Sequence, residues 1–352
     1  MGKLELGLIF GGKSLEHPIS ILSAKSIIGA IDQEKYNVIP IFISPQGQWF
    51  GPKTAKKILE GIKKPKTEND IIFLANLEGK PNLCYTNGEK LPRKLDVVFP
   101  ALHGPFGEDG TIQGLFEMIE LPYIGSGVLA SALAMDKGYM KEVFARHNLP
   151  QTGYYIVEKR KWLENKEMVL EEASGRIGFP AFVKPAALGS SMGVEKVNNI
   201  EKLKDAIKNS FTMCLRVIIE KMVSGRELEC SVLGNKKPSV AGPGEVVSRR
   251  DFYDYQAKYT EGQAELIFNP DIPQKDREKC RELALLAFKA LGCRGMARVD
   301  FFYPSPGRVL INEINTIPGF TQFSMYPKLW VEEGLRYDKL IDKLVNLALE
   351  NE

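Results

Sequence analysis

Short apolar runs that end on glycine, alternating with stretches where apolar residues return every three or four positions, set the rhythm of the first third of the chain. Residues 4–10 form one such run, stopped by Gly11-Gly12, after which Ile19, Leu22, Ala24 and Ile28 recur at helical spacing. A short apolar run bounded by a turn reads as a strand and a period near 3.6 as a helix, so the segment is strand, turn, helix. Further strands are predicted at 38–43 and 96–100, and helices at 110–119 and 136–146. This alternation makes an open α/β layer. Residues 51–94 are rich in Lys, Asn, Gly and Pro and read as an insertion rather than core.

From about Tyr154 the strands shorten, with candidates at 155–157, 181–184, 217–220 and 227–233 and helices at 161–172 and 200–210, the pattern of a smaller α+β unit. The last third reads as a polar loop at 248–262, a long helix at 273–291, two strands at 295–302 and 308–315, and closing helices at 326–333 and 337–350. There is no internal repeat. A chain of 352 residues exceeds one ordinary core and favours two or three domains that share clefts.

Composition narrows the function classes. Hydrophobic residues make up 44% and charged residues 26%, ordinary for a globular chain. The 47 basic and 44 acidic residues are well mixed, without the concentrated basic face that nucleic acid demands. The runs Lys56-Lys57 and Lys63-Lys64-Pro65-Lys66 read as solvated surface. Five cysteines without a C-x-x-C pair fit free thiols in a reducing cytosol. No secretory leader and no run near the roughly 20 apolar residues of a membrane span stands out, so a cytoplasmic protein without a membrane partner is expected.

The most informative segment runs Ala297-Arg298-Val299-Asp300-Phe301-Phe302, then a Pro/Gly turn, then Ile311-Asn312-Glu313-Ile314-Asn315. A register symmetric about Pro306-Gly307 sets Asp300 opposite Glu313 and Arg298 opposite Asn315, all on one face, leaving Val299, Phe301, Ile314 and either Leu310 or Asn312 on the other. Two carboxylates that close repel unless a cation lies between them, and oxygen ligands suit Mg²⁺ with phosphates. Alone, the hairpin fits equally a surface ribbon with an Arg–Asp ion pair. Lys184, at the end of an apolar strand, leads into Pro185-Ala186-Ala187-Leu188-Gly189-Ser190-Ser191-Met192-Gly193, where small residues let backbone N–H groups approach phosphate oxygens. Neither the G-x-x-x-x-G-K-S/T loop nor the full G-x-G-x-x-G fingerprint is present. Glu220 and Glu227, beside a strand exit and the Gly225 turn, could accept hydrogen bonds from an adenine amino group and ribose hydroxyls; a solvated strand end explains them as well.

Several separated motifs together resemble the D-alanine:D-alanine ligases across essentially the whole chain. They are Phe10-Gly11-Gly12-Lys13-Ser14-Leu15-Glu16-His17, His103-Gly104-Pro105-Phe106-Gly107-Glu108-Asp109-Gly110-Thr111-Ile112-Gln113-Gly114, Gly125-Ser126-Gly127, Met135-Asp136-Lys137, Tyr253-Asp254-Tyr255-Gln256-Ala257-Lys258-Tyr259 and Asn315-Thr316-Ile317-Pro318-Gly319-Phe320-Thr321. The resemblance implies a three-domain ATP-grasp fold with mixed α/β and α+β layers: an N-terminal Rossmann-like open-sheet domain over 1–130, a small ATP-grasp subdomain over 131–225 and a large one over 226–352. It implies ATP as co-substrate, bound by Lys137, Lys184, Glu220, Lys221, Val223, Glu227, Tyr253 and Lys258. Asp300, Glu313 and Asn315 would hold two Mg²⁺ ions, with Mn²⁺ able to substitute. Glu16 would grip the first D-alanine with Ser190 and Tyr259 linked to it, while His103, Arg298, Gly319, Ser324 and Met325 would line the acyl-phosphate and second-substrate region. The family reaction makes D-alanyl-D-alanine for peptidoglycan precursors, and its members usually form homodimers.

Departures are few: Pro18 stands where relatives usually carry an acid, and Leu188 replaces a more polar loop residue. Ligases for D-serine or D-lactate usually carry Arg where this chain has Met325, and the D-lactate type places histidine near Lys258-Tyr259. A silent nucleotide-binding regulator is the rival from another class.

Overall fold

The apolar run at the start of the chain becomes an interior strand because it is covered on both sides. In the computed structural model, which describes residues 2–62, 70–77, 80–86, 94–189, 192–248 and 264–350, β1 (Leu4–Gly11) pairs in parallel with β2 (Tyr36–Ile43) and with β6 (Val97–Ala101). The short β3 (Trp49–Phe50) adds an antiparallel edge. Helix α1 (His17–Ala30) follows β1, and its buried Ser20 Oγ accepts from the Gly11 amide at 2.7 Å and donates to the Ala101 carbonyl. One hydroxyl thus ties the glycine turn to two strand ends.

The described residues between 51 and 94 are not a mere insertion. Helix α2 (Pro52–Leu59) buries Thr54, Ala55 and Ile58, and β4 (Ile72–Leu77) pairs antiparallel with β5 (Lys80–Tyr85), burying Ile72, Leu83 and Cys84. Lysine and asparagine dilute the composition there without breaking the apolar period.

Helices α3 (Thr111–Met118), α4 (Val128–Met135) and α5 (Lys137–Arg146) lead to a second, antiparallel sheet ordered β7-β10-β8-β9: β7 (Tyr154–Glu158), β8 (Ala181–Pro185), β9 (Glu195–Val197) and β10 (Arg216–Lys221). The helix predicted at 161–172 is two, α6 (Lys159–Glu164) and α7 (Lys166–Ile177), because the Asn165 side chain caps α7 by accepting from Met168 N at 3.0 Å. Helix α8 (Ile200–Ser210) completes this body, whose core, among the described residues, lies within 155–219.

The third sheet is antiparallel throughout, ordered β13-β12-β11-β14-β15, from β11 (Arg226–Gly234), β12 (Ser239–Ser248), β13 (Ala264–Ile267), β14 (Gly295–Ser305) and β15 (Arg308–Asn315). Helix α9 (Gln274–Ala290) buries Cys280, Leu283, Ala284, Ala287 and Phe288 against Val299 and Phe301 on one face. Helices α10 (Met325–Glu332) and α11 (Tyr337–Leu349) supply Tyr326, Leu329, Leu340 and Leu344 to another cluster that also contains Leu6, Phe10 and Val97. The first and third sheets therefore share one core.

The predicted pairing holds, Asp300 with Glu313 and Arg298 with Asn315, but by an irregular route. The register slips between Asp300 and Phe301, which pairs with Ile311, and slips back by Ser305–Arg308. Asn312 is the extra residue, so the apolar position opposite Phe301 belongs to Ile311 rather than to Leu310 or Asn312. Among the described residues no helix is long and apolar enough to cross a membrane.

Candidate active site

Strand alternation turns Arg298, Asp300 and Phe302 away from the α9 core, and the register brings Glu313 and Asn315 beside them. Arg298 grips Asp300 with two parallel bonds, Nε to Oδ1 and Nη2 to Oδ2, both 2.7 Å, and its Nε lies 3.1 Å from Glu229 Oε2 on β11. Asn315 Nδ2 donates to Asp300 Oδ2 at 3.0 Å. Burial works against the Arg298 charge, yet Asp300 and Glu229 raise its pKa well above the ordinary arginine value.

Helix α5, which packs Met140 and Phe144 into the core of the third sheet, links this face to the second body. Asp136 caps the helix by accepting from the Gly138 and Tyr139 amides, which sets Lys137 at its first position. Lys137 Nζ lies 3.4 Å from Glu313 Oε2 and donates to the Leu188 carbonyl at 2.9 Å, while its backbone amide donates to Ala186. One lysine thus joins the carboxylate face to the small-residue loop after β8. At the end of β10 the buried Glu220 is ion-paired to Lys184 through Oε2 and to Lys141 at 2.8 Å through Oε1. Desolvation opposes its charge, but the two lysines hold its pKa down at about 2. Lys221 is exposed and Val223 and Glu227 are half-buried along the same edge; the charge of Glu227 also reaches Lys184.

The N-terminal sheet supplies the third wall. Glu16 is 8% exposed, and Gly104 has φ +74 with no room for a side chain: a Cβ there would sit 2.8 Å from Glu16 Oε2 and 2.6 Å from Ser14 Oγ. A Cβ on Gly189 would lie 3.5 Å from the same Glu16 oxygen, so the loop after β8 comes down onto this carboxylate. His103 is buried, with Nδ1 3.1 Å from the Ile317 carbonyl and Nε2 3.0 Å from Ser23 Oγ. A carbonyl only accepts, so Nδ1 carries the proton, and Ser23, which accepts from Phe320 N, donates to Nε2. Burial lowers the His103 pKa against the pull of Glu16, in keeping with this neutral tautomer. Glu108 bridges two loops, accepting from Gly104 N at 2.7 Å and Ile317 N at 3.2 Å; burial first, then Glu16, push its pKa up to about 8.

In the loop before α10, Ser324 Oγ accepts from Thr321 N at 3.0 Å and lies so near Gly319 that a Cβ there would stand 2.9 Å from it. Met325 is 4% exposed and packs its sulfur over Gly244. Glu16, His103, Lys137, Lys184, Glu220, Arg298, Asp300, Glu313 and Asn315 are therefore drawn to one cleft, while Met325 turns into the adjoining core. Ser190, Tyr253, Lys258 and Tyr259 lie outside the described residues.

Sequence reading missed Lys141, Glu229 and Ser23, and it quoted Glu108 without a role. The first three look like routine helix or strand positions, and only the partner from a distant segment gives them meaning. The donor types fit a hard divalent cation: the carboxylates of Asp300 and Glu313 pair across the hairpin with the Asn315 amide beside Asp300, and Arg298 and Lys137 are the cations ion-paired to this face. Among the described residues no three His, Cys, Asp or Glu side chains are grouped so as to hold a metal ion.

Against known proteins, the family model described as D-ala D-ala ligase N-terminus matches residues 5–126, and that described as D-ala D-ala ligase C-terminus matches residues 143–346. The D-alanine–D-alanine ligase of Halothermothrix orenii is 45% identical with all of both chains covered; that of Geobacillus thermodenitrificans is 44% identical over 99% of this chain and 96% of its own. Among solved structures, the D-alanine-D-alanine ligase from Coxiella burnetii superposes with a TM-score of 0.84 at 35% identity, covering 99% of this chain and 94% of its own. The VanG D-Ala:D-Ser ligase from Enterococcus faecalis gives 0.88 at 32%, covering 99% and 100%.

Proposed function

The chain belongs to the D-alanine–D-alanine ligase family, and from that premise we propose that it joins two D-alanine molecules through a D-alanyl phosphate made with ATP. The observation that carries the reading is convergence. Lys137 bridges Glu313 and the loop after β8, and that loop in turn touches Glu16 beside His103, so a triphosphate held at one end meets an amino-acid site at the other.

In this reading Lys137 and Lys184 pair with ATP phosphates, and Glu220, Lys221, Val223 and Glu227 meet the adenosine, with Tyr253 and Lys258 completing the site. Glu16 takes the ammonium of the first D-alanine with Ser190 and Tyr259 joined to it. Asp300, Glu313 and Asn315 hold two Mg²⁺ ions, replaceable by Mn²⁺, which when bound cancel charge on the phosphoryl oxygens. The first carboxylate attacks the γ-phosphorus and ADP leaves; in-line positioning by the lysines is the chain's main contribution. The amine of the second D-alanine, having given up a proton, attacks the acyl carbon and expels phosphate. Arg298 and the Gly319 N–H face the oxyanion that forms, and His103 and Ser324 line the second amino acid, with Met325 set back in the core behind them. We assign the protein three domains (1–130, 131–225, 226–352), a cytoplasmic location in peptidoglycan precursor synthesis, and a homodimeric state, which sedimentation would check.

The deciding experiment incubates the protein with ATP, Mg²⁺ and D-alanine. ADP, phosphate and D-alanyl-D-alanine should appear in equal amounts; absence of both phosphate release and dipeptide sinks the ligase reading in favour of a silent nucleotide binder. Equimolar D-serine or D-lactate should leave the dipeptide as the main product, and a mixed product in excess would move the chain to the D-Ala:D-Ser or D-lactate class.

A further inference from the structure

Glu220 has two cationic partners, and the reaction above uses only one of them. Lys184 comes from β8 and Lys141 from α5, one on each carboxylate oxygen. Lys141 is 1% exposed, its ammonium 5.8 Å from the centre of the Tyr154 ring, and it reaches no open part of the cleft.

A buried carboxylate tolerates its charge only while paired, and removing a sole partner leaves an uncompensated buried ion. With Lys184 as the only partner, swinging its Nζ to a phosphate would strand Glu220. With Lys141 in place, the carboxylate keeps a full counter-charge at 2.8 Å whether Lys184 stays or leaves. We propose that Lys141 is a positioning residue for the nucleotide: a standing counter-ion of Glu220 that frees Lys184 to pair with an ATP phosphate. The titration behaviour agrees in direction. Burial presses the Lys141 pKa down, Glu220 pulls it back and Lys184 adds to the lowering, so departure of Lys184 favours the charged form of Lys141. The inference rests on the reading that Lys184 meets phosphates.

The test is calorimetric titration with a non-hydrolysable ATP analogue plus Mg²⁺, and with adenosine alone. Lys141→Met should weaken the analogue at least tenfold and adenosine less than twofold, with Lys141→Arg within threefold of the parent. In a Lys184→Met background, Lys141→Met should cost less than a further twofold. Equal losses for analogue and adenosine, or the same tenfold loss without Lys184, would reduce Lys141 to a structural ion pair and overturn the proposal. If Lys184→Met alone leaves analogue binding intact, the phosphate role of Lys184 falls and this inference with it, while the dipeptide assay judges the ligase reading separately. Should Lys141→Met fail to fold, Glu220→Gln/Lys141→Met compared with Glu220→Gln answers the same question. The two should bind the analogue within twofold of each other, and a tenfold gap would again overturn the inference.

Discussion

Glu16 lies within electrostatic reach of both His103 and Glu108. Glu108 has two amide donors that favour its anion, yet burial and the nearby Glu16 prevail and raise its pKa to about 8. Removing the negative neighbour favours the ionised form, so Glu16→Gln should lower the Glu108 pKa in a carboxyl ¹³C NMR titration; an unchanged midpoint would separate the two groups. The folded pKa lies above the unfolded one, so the stability linked to Glu108 is complete below about pH 4.3 and lost as pH rises through about 8. Glu108→Gln should flatten that decline in denaturant titrations across the window. Arg298 makes a different demand: its guanidinium is held by Asp300 and Glu229. Arg298→Ala should cut turnover by roughly 10² to 10³ while the affinity for an ATP analogue stays within a few-fold. Equal loss of both would contradict the oxyanion role.

At the scale of elements, α5 has the most to lose from one change. Asp136 caps its first turn, and Arg216 Nη2 donates to the same carboxylate at 2.5 Å while stacking 3.6 Å over the Tyr139 ring. Asp136→Ala should cost about 1 kcal/mol for the cap, read in denaturant unfolding, and raise the KM for ATP because Lys137 loses its fixed start; lost stability with an unaltered KM would detach the cap from the site. The hairpin carrying Asp300 and Glu313 was legible because counting outward from the turn gives the right pairs, the two register slips cancelling. Other elements were hidden for identifiable reasons. Helix α4 buries its small residues, Ala130, Ser131 and Ala134, and exposes Val128 and Leu129, so hydrophobicity points the wrong way. Strand β12 carries Gly242-Pro243-Gly244 in its interior, a sequence that argues against a strand and that the sheet accommodates with a register shift opposite Glu229 and Ser231. Helix α2 and the β4–β5 hairpin keep their apolar period under a lysine-rich composition, and it is the period that decides burial.

For the whole molecule, the arrangement of cores predicts how it opens. Leu6, Phe10 and Val97 share a cluster with Met296, Tyr326 and Leu344, whereas among the described residues the cluster of β7, β8, β9 and β10 takes none from outside 155–219. Contiguous cores tend to open as units with their own free energies. Native-state hydrogen exchange should therefore show the amides of β8 and β10 opening as one group, and those of β1 and β11 opening together in another. Polar links join the second sheet to α5, whose Met140 and Phe144 lie in the core of the third: Arg216 to Asp136, Glu220 to Lys141, and Lys137 to the Leu188 carbonyl. A nucleotide that bridges Lys184 on one body and the Asp300–Glu313 face on the other adds its binding free energy to that seam, about 2.7 kcal/mol at a hundredfold excess over Kd. An ATP analogue with Mg²⁺ should accordingly slow exchange in β8 and β10 more than in β1. Opening of β1 independently of β11, or equal protection of every sheet by the nucleotide, would show that the shared core is not what couples the first and third sheets.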